Sequence, residues 1–470
     1  MSQVTQYNYI FDDIGPGYNN VSIRNSSYIG EKNILLMLND DHFLNRRSAY
    51  ISPVMADMLD IAVAVFTADR FSTRHKNHTH REINIEIPLR CPEIFSKDNI
   101  ISLLKEVLNY YSHDVWNFQF HFRQSQGRIS EIQGRLGIYS DSVEVALWSG
   151  GLDSLAGLCT RLDMNVASTY TLIGTGLNRT MQGVQKRTAN EIKRLFSSTE
   201  INFMHIPIYY HNIDRVFPNR SPRTRGFLFL VIGAVSAHIE QQNVVSIYEN
   251  GVGAINLPYI KSSTGLDHSR AVNPISLCYM SKLLSEVLSE KFIFRNPFLL
   301  WTKAQMCNSI IENSNEHLVS LTVTCDRRRR ASYIQCGRCS SCLLRRQSLL
   351  VCGIDETDYF VPMALKNGQR LRASDGDFLR VMLRQVDTLR WCLNSENPWQ
   401  SLSLEFPSLP PVVWWLADLG EGEQNNLQEN LVGLYRDYVT EWDTPDVRYL
   451  LSRGLLLDSE LQDHNGVYGR

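Results

Sequence analysis

The sequence predicts an α/β fold in which a parallel sheet with helices occupies the middle of the chain, preceded by an α+β segment and followed by a helical tail. Three observations predict it. A short apolar run from Val143 to Trp148 leads straight into the glycine-rich string Ser149-Gly-Gly-Leu-Asp-Ser154. Strand-like and helix-like stretches then alternate as far as about residue 320, as right-handed βαβ units require. Finally, four cysteines gather between Cys325 and Cys342.

Composition bounds what else the chain can be. At 470 residues it can bury two or three cores, and 43% hydrophobic with 20% charged residues is ordinary for a globular protein. A formal net charge of -2 argues against a nucleic-acid partner that binds the whole surface. The apolar run from Gly226 to Ala237 is shorter than the roughly 20 residues a membrane span needs, so it reads as a buried helix and no membrane partner is expected. Met1-Ser-Gln-Val-Thr-Gln carries neither a basic region nor an apolar core, so the cytoplasm is the expected compartment. There the 10 cysteines are expected as thiols or metal ligands.

Residues 1–140 read as an N-terminal α+β accessory domain. Residues 56–70 form a mostly apolar helix, and Ile83, Ile85, Ile87 and Leu89 alternate with polar residues as in a half-buried strand. A helix-like stretch over 100–110 precedes a second alternation, in which Trp116, Phe118, Phe120 and Phe122 share one face. His75, His78 and His80 have close spacing for a metal, but with no cysteine or carboxylate beside them a solvated loop is the better reading.

Next comes the strand at Val143 and the string Ser149-Gly-Gly-Leu-Asp-Ser154. Gly150 and Gly151 can take positive φ, so that successive N–H groups line a concavity at a helix N-terminus, where an anion binds. Ser149 and Ser154 add hydroxyl donors, Leu152 opens the helix, and Asp153 offers a carboxylate for Mg²⁺. A strand, glycine turn and capped helix would use the same residue types for structure alone. Five fixed positions, however, arise by chance in a chain this long on the order of one time in a thousand.

Further strands are expected over 168–173, 201–207 and 244–248, with helices over 185–196 and 225–240. Ligands in such folds lie at the carboxyl ends of strands. Gly174 and Gly176 follow the second strand, where they could let an adenosine lie against the backbone or simply make a turn. Glu249 and Asn250 follow the fourth and could read the edge of a heterocyclic substrate. Arg225, with Arg223, opens a helix and could neutralise developing phosphate charge or face solvent. Arg270 and His268 lie in a polar stretch over 262–273 that could cover the site, with Arg270 a candidate substrate ligand. Asp153, Ser154 and Arg225 are the candidates for the catalytic step.

Cys325, Cys336, Cys339 and Cys342 have the spacing C-x10-C-x2-C-x2-C. A C-x2-C-x2-C string arises by chance in about one chain in a few hundred. Four thiolates suit a closed, tetrahedral structural Zn²⁺. An iron-sulfur cluster is the rival, but Leu343-Leu-Arg-Arg follows in place of the ferredoxin continuation. The other cysteines read as isolated buried hydrophobes.

The phosphate string resembles the PP-loop of the ATP pyrophosphatases, which split ATP into AMP and pyrophosphate while adenylating a substrate oxygen. Together with the spacing of the four cysteines, and with Asn296-Pro-Phe and Thr302-Lys-Ala-Gln between them, it looks like the QueC family, the 7-cyano-7-deazaguanine synthases. The resemblance covers roughly residues 143–352, under half of the chain. It implies an adenine nucleotide alpha hydrolase-like core with a zinc knuckle over 141–352, ATP held by Ser149, Gly150, Gly151, Asp153 and Ser154, and Zn²⁺ held by the four cysteines. The family adenylates 7-carboxy-7-deazaguanine, forms its amide with ammonia and dehydrates that to the nitrile. The long flanks, and the stretches after the second and fourth strands, look more like the longer QueC-like proteins of bacterial anti-phage defence, such as QatC. Asn273 stands where the family commonly has histidine.

The tail over 353–470 reads as helical, with a helix over 377–393 and Trp414 and Trp415 expected in its core. Arg327 to Arg330 could meet an acidic partner or form a solvated face. The expected function is ATP-dependent transfer of a deazaguanine-type carboxylate to a nitrogen nucleophile, with an amine on a partner protein in defence as the expected acceptor. Nitrile synthesis from ammonia and a non-catalytic ATP-binding subunit are the alternatives.

Overall fold

The computed structural model describes residues 5–14, 18–25, 32–38, 50–74, 80–125, 127, 131, 142–175, 179–211, 219, 221–259, 270–325, 334–354, 359, 376–444 and 447–448. His75, His78, Gly176, His268 and the arginines of 327–330 lie outside them.

The N-terminal segment contributes strands β1 (Thr5–Ile14), β2 (Tyr18–Asn25) and β3 (Lys32–Leu38), helix α1 (Pro53–Phe71), β4 (Arg81–Leu89), α2 (Pro92–Phe95), α3 (Asp98–Ser112) and β5 (Val115–Phe122). The middle segment runs β6 (Val143–Leu147), α4 (Leu152–Asp163), β7 (Thr169–Thr175), α5 (Arg179–Leu195), β8 (Glu200–Ile206), β9 (Ile208–His211), α6 (Arg225–Ile239), β10 (Val244–Ile247), α7 (Gly251–Ile255), α8 (Pro274–Leu288), β11 (Ile293–Arg295), α9 (Lys303–Glu312), a 3-10 turn at Glu316–Leu321 and α10 (Ser340–Val351). The tail is α11 (Asp377–Leu393), α12 (Pro398–Glu405), α13 (Leu409–Asp418) and α14 (Gln424–Asp443).

The middle segment forms a five-stranded sheet in the order β11-β10-β6-β7-β8, in which every pairing is parallel. Its strands are buried on both faces, as parallel sheets must be. In β6, Val145 joins the core under α6 and α8, while its neighbour Ala146 joins the core under α4 and α9. The chain runs outward from β6 through β7 to β8, then returns to lay β10 on the other side of β6. The two directions of winding part between β6 and β10, which is where doubly wound sheets open a crevice at the carboxyl ends of their strands.

The second sheet is mixed, in the order β5-β4-β1-β2-β3-β9. Its last strand comes from the middle segment. After β8 the chain reaches Pro207, which has no N–H to continue a ladder, and residues 208–211 turn to pair antiparallel with β3. The two sheets therefore share one hydrophobic core, in which α1 and α6 lie side by side. Helix α1 also buries Asp57, Asp60 and Asp69, each matched by a cation: Asp57 and Asp60 by Arg90, and Asp69 by Arg81 at 2.6 Å. A buried carboxylate without such a partner would be strongly destabilising.

The tail helices pack on α7, α8 and α10 in a core of their own, with α11 over the residues its periodicity predicts. Trp415 packs on Tyr279 at a tilt of 47°, with ring centroids 4.4 Å apart. Trp414, expected in the core, is 51% exposed, because neighbouring residues of a helix face different ways: Trp415 packs on Tyr279 of α8, while Trp414 meets the Lys282 ammonium of α8, 5.9 Å from its ring centroid. Phe122 likewise ends the aromatic face of β5 in solvent, since β5 is the edge strand of its sheet. Among the described residues no helix is long and apolar enough to cross a membrane.

Candidate functional site

The string 149–154 leaves the carboxyl end of β6 at the point where the winding reverses. Gly150 takes φ +76°, a conformation costly for a side-chain-bearing residue. Gly151 does not share it. It is extended at φ -86° and ψ 173° and sits as N-cap of α4, so of the two glycines expected to allow positive φ, only Gly150 uses it. As a glycine, the N-cap residue offers no side chain to cap α4. Leu152 N–H, the first of α4, donates to Thr324 Oγ1 at 3.5 Å, and the positive end of the helix dipole faces the carboxyl end of β6. The serines brace the turn: the Ser149 and Ser154 hydroxyls lie 2.8 Å apart, and Gly151 N–H donates to Ser149 Oγ at 3.1 Å.

Asp153, in the first turn of α4, is buried and ion-paired with Lys303. Asn250 Nδ2 donates to Asp153 Oδ1 at 2.9 Å and also to Glu249 Oε1 at 2.9 Å. The Asn250 oxygen accepts from Gly253 N–H at 2.8 Å and caps α7. Asn296, beyond β11, donates to the Glu249 carbonyl oxygen at 2.8 Å. The ends of β6, β10 and β11 are therefore stitched together around one carboxylate. Burial alone would lower the Lys303 ammonium, but Asp153 and Glu249 outweigh it and hold the group above its ordinary value.

Sequence reasoning does not single out Lys303, although a signal exists. Thr302-Lys-Ala-Gln305 is a capping-box pattern, and both of its reciprocal bonds are present. That puts a lysine at the first position of α9, where the helix dipole disfavours a cation, and it is only 4% exposed. A buried charge set against its helix is a mark of function more often than of stability.

Gly174 has a different neighbourhood from the one its sequence suggests. A Cβ there would lie 2.7 Å from Gln185 Oε1 and 2.8 Å from the Phe203 ring, so the space is filled by those side chains. Arg225 is exposed on the first turn of α6, its guanidinium 5.8 Å from the Phe229 ring centroid and close enough to Arg70 to add to burial in lowering that group. The start of α6 is tied to the N-terminal segment instead, because Thr224 N–H and Oγ1 both donate to Asp69 Oδ2 at 3.0 Å. Arg270 stacks over Tyr110 at 4.5 Å and donates to its carbonyl oxygen. Asn273 caps α8, and its Nδ2 reaches the Ile255 carbonyl oxygen at 3.2 Å, joining α7 to α8.

The four cysteines converge. Their sulfur atoms all lie within 4.8 Å of one another, and Cys336 and Cys342 are 3.8 Å apart. Four thiolates about 2.3 Å from one Zn²⁺ stand about 3.8 Å apart along a tetrahedron's edges, so the donor set and spacing fit the ion. Cys336 N–H points at Cys325 Sγ and Cys339 N–H at Cys336 Sγ, both at 3.3 Å, the second-layer bonds that orient thiolate ligands. Cys307 and Cys352, expected to be isolated, touch each other through their thiols.

The cysteine cluster is joined to the turn at 149–154. Just before Cys325, Val323 N–H donates to the Gly150 carbonyl oxygen at 3.2 Å. Arg345, buried on α10, donates to Thr322 Oγ1 at 2.7 Å and to Thr324 Oγ1 at 3.1 Å. The same α10 begins at Cys339, so one helix anchors both the cysteine cluster and the strap over the loop.

The tail reaches the site from the other side. Glu441 on α14 accepts from Thr302 Oγ1, the cap of α9, and from Gln347 Nε2 at 2.9 Å. Burial pushes its carboxyl up from 4.5 to about 7, against the opposing pull of those two hydrogen bonds. Because the folded protein holds this proton more tightly than the unfolded chain, Glu441's contribution to stability is full below about pH 4.5 and is lost as pH rises through about 7. Glu441→Gln, which keeps the shape without the charge, is expected to flatten that fall. Urea midpoints measured at about pH 5 and about pH 8 check it, and an unchanged slope would assign the pH dependence elsewhere.

A scan against models of protein families matches none of them, and a search of curated proteins finds no match.

Proposed function

We propose that this chain is an ATP pyrophosphatase of the PP-loop kind, similar to the QueC family, that adenylates a carboxylate and passes the acyl group to a nitrogen nucleophile. One observation carries the reading: the glycine-led N-terminus of α4 meets the buried Asp153 and Lys303 at the reversal point of a doubly wound sheet. The amides of the turn and the first turn of α4 hold phosphate oxygens, with the Ser149 and Ser154 hydroxyls beside them. Asp153 is the carboxylate that would hold Mg²⁺, whose charge would offset that of the departing pyrophosphate. With Mg²⁺ on Asp153, the Lys303 ammonium would be released from that carboxylate and would neutralise charge on the phosphates.

In the first step a substrate carboxylate oxygen attacks the α-phosphorus, the bond to the β-phosphate bridge breaks, and pyrophosphate leaves with the electron pair. In the second the nitrogen attacks the acyl carbon, AMP leaves, and the nitrogen loses a proton. Glu249 and Asn250, at the neighbouring strand end, suit the donor edge of a deazaguanine-type acid. Zn²⁺ held by Cys325, Cys336, Cys339 and Cys342 would fix the support of the loop and supply no step of the chemistry. The flanking segments favour an amine on a partner protein over ammonia, which needs no such additions.

Exchange of radiolabelled pyrophosphate into ATP tests the first step, and it is expected only when a suitable carboxylate is present. Intact-mass measurement of co-expressed partner proteins tests the second. Exchange that never depends on any acid, from protein that binds ATP, would reduce the chain to a nucleotide-binding subunit.

A further inference from the structure

We infer that Gln185 is a specificity-determining residue of the loop site, whose side-chain oxygen accepts a hydrogen bond from a sugar hydroxyl of the nucleotide. The inference rests on the nucleotide reading above and adds which part of the ligand is recognised, and by what.

Gln185 stands on the second turn of α5 and is 4% exposed. Trp148 Nε1 donates to its backbone oxygen at 3.0 Å, which fixes this turn of α5 against the end of β6. Its side-chain Nε2 donates to the Ser149 carbonyl oxygen at 3.4 Å. A carbonyl can only accept, so the amide must turn its nitrogen to the loop and its oxygen away. That oxygen is buried and meets no donor. Native folds rarely leave a buried acceptor in that condition, because the hydration it gives up is returned by nothing.

The missing partner has a definite chemistry. An acceptor repels phosphate oxygens, so the group it faces carries an O–H or N–H. The Gln185 amide is one hydrogen bond from Ser149, the first residue of the turn that holds phosphate, and lies between the ends of β6 and β7. In a nucleotide the donors nearest the phosphates are the sugar hydroxyls. Doubly wound folds commonly read those hydroxyls with a side-chain acceptor beyond the second strand, and β7 is the second strand here.

Calorimetric titration of the zinc-loaded full chain with ATP, 2′-deoxy-ATP and 3′-deoxy-ATP tests this, and the two analogues tell which hydroxyl is read. The wild type is expected to prefer ATP over at least one analogue by about tenfold or more. Gln185→Met, which fills the same space without an acceptor, is expected to bring that ratio close to one. Gln185→Glu keeps an acceptor and is expected to keep the ratio while weakening all three ligands alike. A wild type that binds all three equally overturns the inference, whether or not the variants fold. So does a Gln185→Met protein that still discriminates. A wild type that binds no ATP overturns the nucleotide reading and this inference with it, an outcome distinct from the other two.

Discussion

Lys303→Ala is expected to lose pyrophosphate exchange by about a thousandfold or more, the scale of removing a preorganised charge from a reacting phosphate. It is also expected to destabilise the fold by roughly 3–5 kcal/mol, because Asp153 would stay buried with its countercharge gone. These two effects separate in a double variant. Asp153→Asn with Lys303→Met removes both charges together and keeps similar volumes, and Asn250 can still donate to the oxygen at position 153. Replacing both members of a buried pair is often near neutral for stability, so the double variant is expected to regain most of its urea midpoint while exchange stays lost. Recovery of exchange along with stability would take the pair out of the chemistry and leave it a structural salt bridge.

The same pair shows what the sequence could and could not convey. The turn at 149–154 was legible because its strand, its glycine and its helix are consecutive, and short-range rules govern all three. Asp153 and Lys303 are 150 positions apart, and Asp153 and Asn250 are 97 apart, so their meeting depends on the order of strands in the sheet. The start of α6 shows a complementary limit. Arginines before an apolar helix look like an anion site, but Asp69 from the N-terminal helix already satisfies the start of α6. The strand at 208–211 was hidden too, since its partner in β3 lies far back in the chain and Pro207 breaks the alternation that continues from β8. The convergence of the four cysteines was legible because a cluster of this kind is encoded locally by spacing.

Removal of metal should therefore act on the turn at 149–154 as well as on stability. One Zn²⁺ per chain is expected by elemental analysis, and stoichiometric iron would overturn the assignment. Apparent binding energies for structural zinc reach about 10–16 kcal/mol in small peptides, but here the helices and sheets have cores of their own, so Cys339→Ser is expected to lower the thermal midpoint by about 5–10 °C without unfolding the chain at room temperature. The local consequence is sharper. Cys325 ends the strap whose Val323 N–H is donated to Gly150, and Cys339 begins the helix whose Arg345 holds Thr322 and Thr324. With the four thiolates no longer tied to one ion, both ends of that strap loosen, and the turn at Gly150 loses the contact that fixes its carbonyl. Amide hydrogen exchange is expected to speed up at Val323 and through the start of α4 after chelation, while β6 and β7, buried on both faces, keep their protection. Chelated protein with a lowered midpoint but unchanged exchange at Val323 and Leu152 would mean that the knuckle stabilises the chain without supporting the loop.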